Sequence, residues 1–575
     1  MVRLPVIVGF GGYNAAGRSS FHQGFYRMVF GSLPADLQRQ TLLGLATMTG
    51  LVSYRNGKYV DRYENPFTAA EVCHEFRDLL LDETLVRYLN EPAFDYTDNW
   101  YEKIAVRSAG QLPTGFDPGS FYRSQFHPKG LQLAVMGASD AVKSVGIPWQ
   151  TIMDAVVPDE VAVYSSSAMA QMDEYSYQGL TQARRQGKRI TAKQLPLGLN
   201  SMPTDFINAY VLGSVGATGS NTGACASFLY NLRQGVDDIR SGRRRVVVLG
   251  NSEAPLTREI IDGYSAMSAL ATEANLKKLD GVDTPDYRRA CRPFADNCGF
   301  TLAESSQYVV LMDDALAMTL GAQIFGAVPD VFVNADGFKR SISSPGAGNY
   351  ITLGKSVAAA VAMLGDEAVK QRSWLQSHGS STPQNRVTES AIFDRVADAF
   401  GITAWPVTAI KSYVGHSLAP ASGDQLTATL GSFATGLLPG IKTIDQVADD
   451  VSAQRLQLPV KDVEMDMDVA FINSKGFGGN NATAVVLSPN VVQSMLVKRY
   501  GIQSYAHYQK QNERVMQQAA DYQQAALQGV LNPIYRFGEG VIDDDQIAIS
   551  REDIKLPGYK NAIRFDHENH YEDMF

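Results

Sequence analysis

A cysteine, two histidines and a glycine-rich loop are the residues of this 575-residue chain whose surroundings point to chemistry. Cys225 lies in Ser220-Asn-Thr-Gly-Ala-Cys225-Ala-Ser, among small residues and just ahead of a helical pattern. Ala226, Leu229, Leu232, Val236 and Ile239 recur at spacings of three and four, so one helical face is apolar. Asn221, Thr222 and Gly223 are the turn and cap residues expected before such a helix. A thiol there meets the positive end of the helix dipole, which favours thiolate and nucleophilic attack. The competing reading is a small buried hydrophobe, the common fate of a lone cysteine.

His378 is followed by Gly, two Ser, Thr and Pro, a loop composition, and His416 follows Gly415 where small residues open a helix. Each alone can be structural; with Cys225 they suggest one convergent site. Asn473-Ser-Lys-Gly-Phe-Gly-Gly479-Asn-Asn follows a strand, and its glycines let backbone N–H groups face a ligand. Its spacing fits neither a phosphate-binding P-loop nor a dinucleotide fingerprint.

Alternating strands and helices must position these groups. Val6–Gly9 reads as a short buried strand entering a glycine-rich turn, and the LQLAVMGASDAVKSV segment from Leu131 as a helix. Val161–Tyr164, Arg243–Leu249, Gln307–Met312, Asp468–Ile472 and Ala482–Leu487 read as strands. The pattern predicts a mixed α/β architecture with crossovers. Residues 32–104 read as an elaboration, 491–528 as helical, and 538–575, with ten acidic and four basic side chains, as a surface-wrapping extension.

Composition narrows the function classes. The chain is 45% hydrophobic and 19% charged, globular usage with ample core material. A net charge of −9 argues against a nucleic-acid coat. Four cysteines at these spacings form neither a disulfide framework nor a zinc pattern. Neither a signal-peptide core nor a long enough apolar stretch for a membrane span is found, so a cytoplasmic protein is expected.

The order of these motifs resembles the beta-ketoacyl-acyl carrier protein synthases. The resemblance runs from RLPVIVGFGG near residue 3 through FHPKGLQLAV (126–135), GACAS (223–227), SAMSAL (265–270) and RPF (292–294). It continues through HGSSTP (378–383), KSYVGH (411–416) and GFGGNN (476–481). It implies a thiolase-like five-layered αβαβα fold from two similar halves, at 1–305 (insertion about 32–104) and 306–490, with a helical and acidic extension at 491–575. It implies decarboxylative condensation of an acyl thioester with malonyl-carrier protein. Cys225 would carry the acyl group, and His378 and His416 would stabilise the enolate. Lys411 with Glu304 would orient His378. The N–H groups of Cys225 and Phe477 would form an oxyanion hole, with Phe477 and Gly478 at the acyl gate. Ser380 and Thr382 would contact phosphopantetheine. A homodimer with no bound cofactor or metal is implied, the partners being acyl carrier protein and coenzyme A thioesters, without nucleic acid or membrane.

Two histidines place the site in the elongation type, and thiolases are disfavoured because no cysteine follows Cys298. The insertion, the long C-terminus and the opening residues most resemble the FabY-type synthases, which implies an acetyl-CoA primer. An elongating or polyketide-type ketosynthase and a non-catalytic carrier-binding scaffold are the alternatives. The chain departs from the family pattern at Arg386, where an aspartate is usual, at Lys475, where Phe is common, and at Ser268, where many members have Arg. Arg243–Arg245, Lys277–Lys278 and Arg288–Arg289 are candidate docking clusters for an acidic carrier, with solvated charge as the competing reading.

Overall fold

Ten strands laid out as two copies of one pattern form the frame of the computed structural model, which describes residues 2–77, 85, 87–88, 104–341 and 344–574. The first copy contains β1 (Pro5–Asn14), β2 (Val161–Ser166), β3 (Ala217–Gly219), β4 (Val246–Glu253) and β5 (Ser305–Asp313). The second contains β6 (Gly326–Ala335), β7 (Ser373–Gln376), β8 (Trp405–Thr408), β9 (Val469–Gly476) and β10 (Asn480–Leu487). The spatial orders are β1-β5-β4-β2-β3 and β6-β10-β9-β7-β8, so each strand has its counterpart five places on. Directions match too: β1–β5, β4–β5, β6–β10 and β9–β10 are antiparallel, whereas β2–β4, β2–β3, β7–β9 and β7–β8 are parallel. The copies join antiparallel through Val6–Ala327 and Ile7–Gly326. This duplication is invisible in the residue pattern. It also moves the seam: β5 pairs with β1 and β4, so the first half ends after β5 and its following helix, not at 305.

Helices supply the other layers. α1 (Ala35–Met48) belongs to the insertion. α2 (Lys129–Ser144) covers β1, β5 and β4, and its counterpart α4 (Gly348–Leu364) covers β6, β10 and β9. α3 (Ser227–Arg240) and α6 (Ala421–Thr435) meet between the two sheets. Phe228, Leu229 and Leu232 of α3 and Leu426 and Leu430 of α6 share one buried cluster with Phe10, Leu249, Val309 and Val486. The stack is therefore helix, sheet, helix, sheet, helix. β4 and β5 are buried along both faces, as expected of strands covered by helices on each side.

β1 runs on through its glycines rather than turning at Gly9. A methyl at Gly11 would lie 2.4 Å from the Ala141 nitrogen and 2.6 Å from the Asp140 carboxylate, so that glycine admits α2 against the sheet. α5 (Pro383–Ala399) connects β7 to β8, and α7 (Ile502–Leu527) lies across α1 and α2. From the insertion, the Leu85 N–H donates to the Tyr413 carbonyl (3.1 Å), behind the turn of Lys411. Part of the insertion, 78–84, 86 and 89–103, lies outside the described residues. The tail crosses the first half: Asn561 donates to the Val156 carbonyl (2.8 Å) and Tyr559 to the Gly213 carbonyl (2.8 Å). Among the described residues no helix is long and apolar enough to cross a membrane.

Gly11→Ala is expected to destabilise the protein by about 1–3 kcal/mol through overpacking of α2 on β1. A chemical-denaturation midpoint that does not move would show that the helix yields without cost.

Candidate active site

Cys225 immediately precedes Ala226, the cap of α3, and Ala224 before it holds φ 51°, a strained value for a residue with a side chain. Hydrogen bonds fix this turn: Gly223 N–H donates to Ser227 Oγ (3.0 Å), which donates to the Ala224 carbonyl (2.7 Å). The end of β9, from the other half, passes directly against it. A methyl on Gly476 would lie 2.1 Å from the Gly223 carbonyl oxygen, and Ser474 Oγ donates to the Cys225 carbonyl (3.1 Å). Two N–H groups, those of Cys225 and Phe477, then face the sulfur.

Burial pushes the Cys225 thiol up to about 11, with the Glu253 charge adding to the rise. Lys411 and the two N–H groups pull the other way without winning. The resting sulfur is a thiol, so the dipole expectation gives way to desolvation, the larger effect at a site 5% exposed.

His378 follows β7 and His416 precedes α6, the position that Cys225 holds relative to α3. The imidazole rings are 5.3 Å apart and nearly perpendicular. His416 Nδ1 accepts the Leu418 N–H (3.2 Å), and Phe300 meets the ring edge at 5.1 Å. His378 Nδ1 faces the Lys411 ammonium at 3.4 Å, and the same ammonium donates to the His378 carbonyl. With both Nδ1 atoms accepting, each Nε2 carries the proton and is free to donate. Burial, then the Lys411 charge, hold both imidazoles well below the usual histidine value, so both are neutral.

Glu304 does not join Lys411. Its carboxylate lies 2.5 Å from Lys129 at the start of α2 and accepts the Leu112 N–H (3.3 Å). The Glu304 backbone is tied to Gly110, which fixes the side chain at the start of β5, outside the histidine pocket. The carboxylate beside the histidine loop is Glu389, on α5. It accepts the N–H groups of His378 (2.6 Å) and Gly379 (2.9 Å) and the amides of Asn385 and Asn473 (both 2.9 Å). Glu389 is the sole acidic residue between His378 and the middle of α5, a signal that the sequence offered. Also missed were Gln425, which donates to the carbonyls of Ser377 (2.6 Å) and Asn473 (3.2 Å), and two buried carboxylates. Glu253 is raised to about 7 by burial although Ser167 Oγ (2.6 Å) and the Ala168 N–H (2.8 Å) donate to it. Asp424 accepts from Asn14, Ser305, Gln307 and Ser417, tying both halves beside His416.

The other expected residues fall as follows. Ser380 is buried with its hydroxyl 3.3 Å from that of Thr382, which also caps α5. Phe477 packs on Tyr264 at 6.1 Å, and Gly478 is exposed at φ 88°. Arg386 turns away and grips Asp450 through two bonds (2.8 and 2.9 Å). Ser268 is exposed. Arg243–Arg245 precede β4, at its far end from Glu253 and the nucleophile; Arg245 pairs with Asp313 (2.7 Å), so this cluster is not at the site. Arg288–Arg289 are nearer, because the N–H of Arg292 donates to Ser381 in the histidine loop (2.7 Å). Among the described residues no cluster suited to a metal ion occurs.

The chain resembles known proteins over its whole length. The family "Beta-ketoacyl synthase, N-terminal domain" matches residues 84–317. The beta-ketoacyl-[acyl-carrier-protein] synthase FabY of Pseudomonas aeruginosa is 52% identical over the whole of both chains. The 3-oxoacyl-[acyl-carrier-protein] synthase 2 of Staphylococcus aureus is 26% identical over 62% of this chain and 82% of its own. The crystal structure of the Pseudomonas aeruginosa FabY ketosynthase superposes with a TM-score of 0.96, at 51% identity, over 100% of this chain and 99% of that one. A ketosynthase solved with a type II polyketide acyl-carrier protein shares the fold, with a TM-score of 0.61 and 17% identity over 85% of this chain and 100% of its own.

Alkylation of Cys225 should still accelerate as pH rises past 9, because its thiol titrates near 11. Lys411→Met should slow that alkylation further at any given pH, since a charge favouring thiolate is lost. A rate already level at neutral pH would disprove the buried-thiol picture.

Proposed function

Because the chain belongs to the FabY-type beta-ketoacyl-[acyl-carrier-protein] synthases, condensing acyltransferases of fatty-acid synthesis, we propose that it joins an acetyl primer from coenzyme A to malonyl-carrier protein. The observation that carries the chemistry is the pair of neutral imidazoles, each with Nδ1 engaged and Nε2–H available.

Cys225 takes the acetyl group: its sulfur bonds to the thioester carbon and coenzyme A leaves as thiol. The malonyl carbonyl oxygen then lies between His378 and His416. The bond to the carboxylate breaks, carbon dioxide departs, and the electron pair passes to that oxygen as an enolate. Donors already aimed at the oxygen lower this barrier, and losing one costs about 100–1,000-fold in rate. The enolate carbon attacks the acyl-Cys225 carbonyl, whose oxygen is received by the N–H groups of Cys225 and Phe477. The sulfur leaves and regains a proton, as its high pKa favours. The driving force comes from the thioester and from carbon dioxide loss, so no bound cofactor is called for. Ser380 and Thr382 line the arm's approach beyond His378. The carrier is acidic, the protein works in the cytoplasm, and a homodimer is its expected form.

Apolar side chains close the space around Cys225. Ile261, Leu270, Phe300 and Leu302 are each at most 4% exposed and belong to one buried cluster with it. An acetyl group displaces fewer of these side chains than a longer acyl chain does, which supports an acetyl primer.

Three outcomes are expected. Mass spectrometry should detect acetoacetyl-carrier from acetyl-CoA and malonyl-carrier, and Cys225→Ala should abolish it; products only from longer acyl carriers would support elongation instead. His378→Ala or His416→Ala should slow condensation about 100–1,000-fold while acetylation of Cys225 persists. The rate should show no limb near pH 6.5, because both imidazoles stay neutral there. A limb at that pH would mean that an ionised histidine takes part.

A further inference from the structure

Lys475 is a half-buried cation where an apolar residue would be the simpler occupant. It lies on β9 directly opposite Asn481, two residues from Asn473 and two from Phe477. Strand side chains alternate, so Asn473 and Lys475 share one face of β9, and Phe477 lies one residue past its end. The first of these bonds Glu389 beneath the histidine loop, and the last supplies an N–H to the nucleophile. Lys475 therefore lies on the histidine-loop face of β9, whereas Ser474 meets the nucleophile turn from the other face.

Its charge lacks a direct counter-charge. The nearby carboxylates are Glu389 and Asp336, and both are engaged elsewhere. Glu389 accepts four N–H donors, as described. Asp336 accepts from Asn481 (2.8 Å) and the Gly348 N–H (3.1 Å) on one oxygen and from Lys339 (3.2 Å) on the other. Among the described residues neither carboxylate accepts a hydrogen bond from the Lys475 ammonium; Asp336 pairs with Lys339 instead. A half-buried ammonium without an ion pair is incompletely compensated, and a substrate anion at that place would complete it.

We propose that Lys475 receives the carboxylate of the malonyl donor, making it a specificity-determining residue for a dicarboxylic thioester. The inference rests on the condensation described under the proposed function. In that donor the carboxylate is two carbon–carbon bonds from the thioester carbonyl, so a carbonyl held at His378 brings the carboxylate within the neighbourhood of Lys475. The phosphate of the phosphopantetheine arm is far more distant along the arm and belongs nearer the surface. The contact is made before reaction and is lost as carbon dioxide departs; Lys475 transfers no proton. An interaction confined to the ground state acts on KM and does not raise kcat.

The test is steady-state condensation of acetyl-CoA with malonyl-carrier protein, with unacylated phosphopantetheinyl carrier as a competing inhibitor. Turnover by the unaltered protein checks the parent reading first; its absence sinks that reading rather than this one. For Lys475→Met, KM for malonyl-carrier should rise about tenfold or more, as for loss of a charge pair worth about 1.4 kcal/mol. The Ki of the unacylated carrier should not follow, and kcat should hold or increase. Lys475→Arg, which keeps the charge, should recover most of the loss and guards against a merely misfolded methionine variant. If KM and Ki rise together, Lys475 serves the arm or the packing, and the proposal is overturned. Unchanged KM in both variants overturns it equally.

Discussion

The buried ammonium of Lys411 is the constraint from which the site's geometry follows. At 2% exposure it has left water, and removing a cation from water costs several kcal/mol unless charge and hydrogen bonds replace the solvent. Burial lowers its pKa, while Glu389, Cys225, Cys291 and Asp424 favour its charged form. Its donors are spent on His378, one toward the ring and one toward the carbonyl. A single charge thus selects the tautomer of one imidazole, helps keep both neutral and biases the nucleophile toward thiolate. Glu389 completes the arrangement by holding the main chain of the histidine loop, so the ammonium and the ring cannot drift apart.

Duplication explains how such a cluster comes to be assembled at all. Each half ends a central helix at the seam, α3 with Cys225 ahead of it and α6 with His416 ahead of it. The two positions are equivalent in the frame but carry different chemistry. The Cys225 turn and His416 come from opposite halves, and β9 crosses to press Gly476 against Gly223. Asp424 and Gln425, adjacent on α6, lock this meeting: one binds first-half residues, the other the strand ends of the second half. The active site exists only where the halves touch.

Packing and electrostatics differ on the two sides of the site. Cys225 lies in a cluster of buried apolar side chains. Lys411, with its partners occupied, lies on the histidine side, and Lys475 has no ion pair among the described residues. The insertion touches this machinery from behind, through Leu85 against Tyr413, and α7 packs across α1 and α2. Among the described residues of the insertion, Leu85 supports the turn that presents Lys411.

The sequence by itself determined the α/β class, most strands and the three candidate side chains, because those signals are local. Cys225 among small residues before an apolar helical face, and each histidine among glycine and serine, were legible as candidates from a few neighbours. Strand lengths came out short, since Gly9, Gly250 and their kind look like turns until a helix is seen packed on them. Only the tertiary structure decided the partners. Glu304 was paired with Lys411 by family order, yet it answers Lys129, while Glu389 on α5 does the work expected of it. Lys411 meets His378 across 33 residues, Asp424 meets Asn14 across 410, and β9 meets the nucleophile turn across 249. Hydrogen bonds and charge act through space, so contacts at such separations leave no periodicity for a sequence to display. For the same reason the repeat of five strands, and the seam after β5, became legible only as hydrogen-bonded sheets.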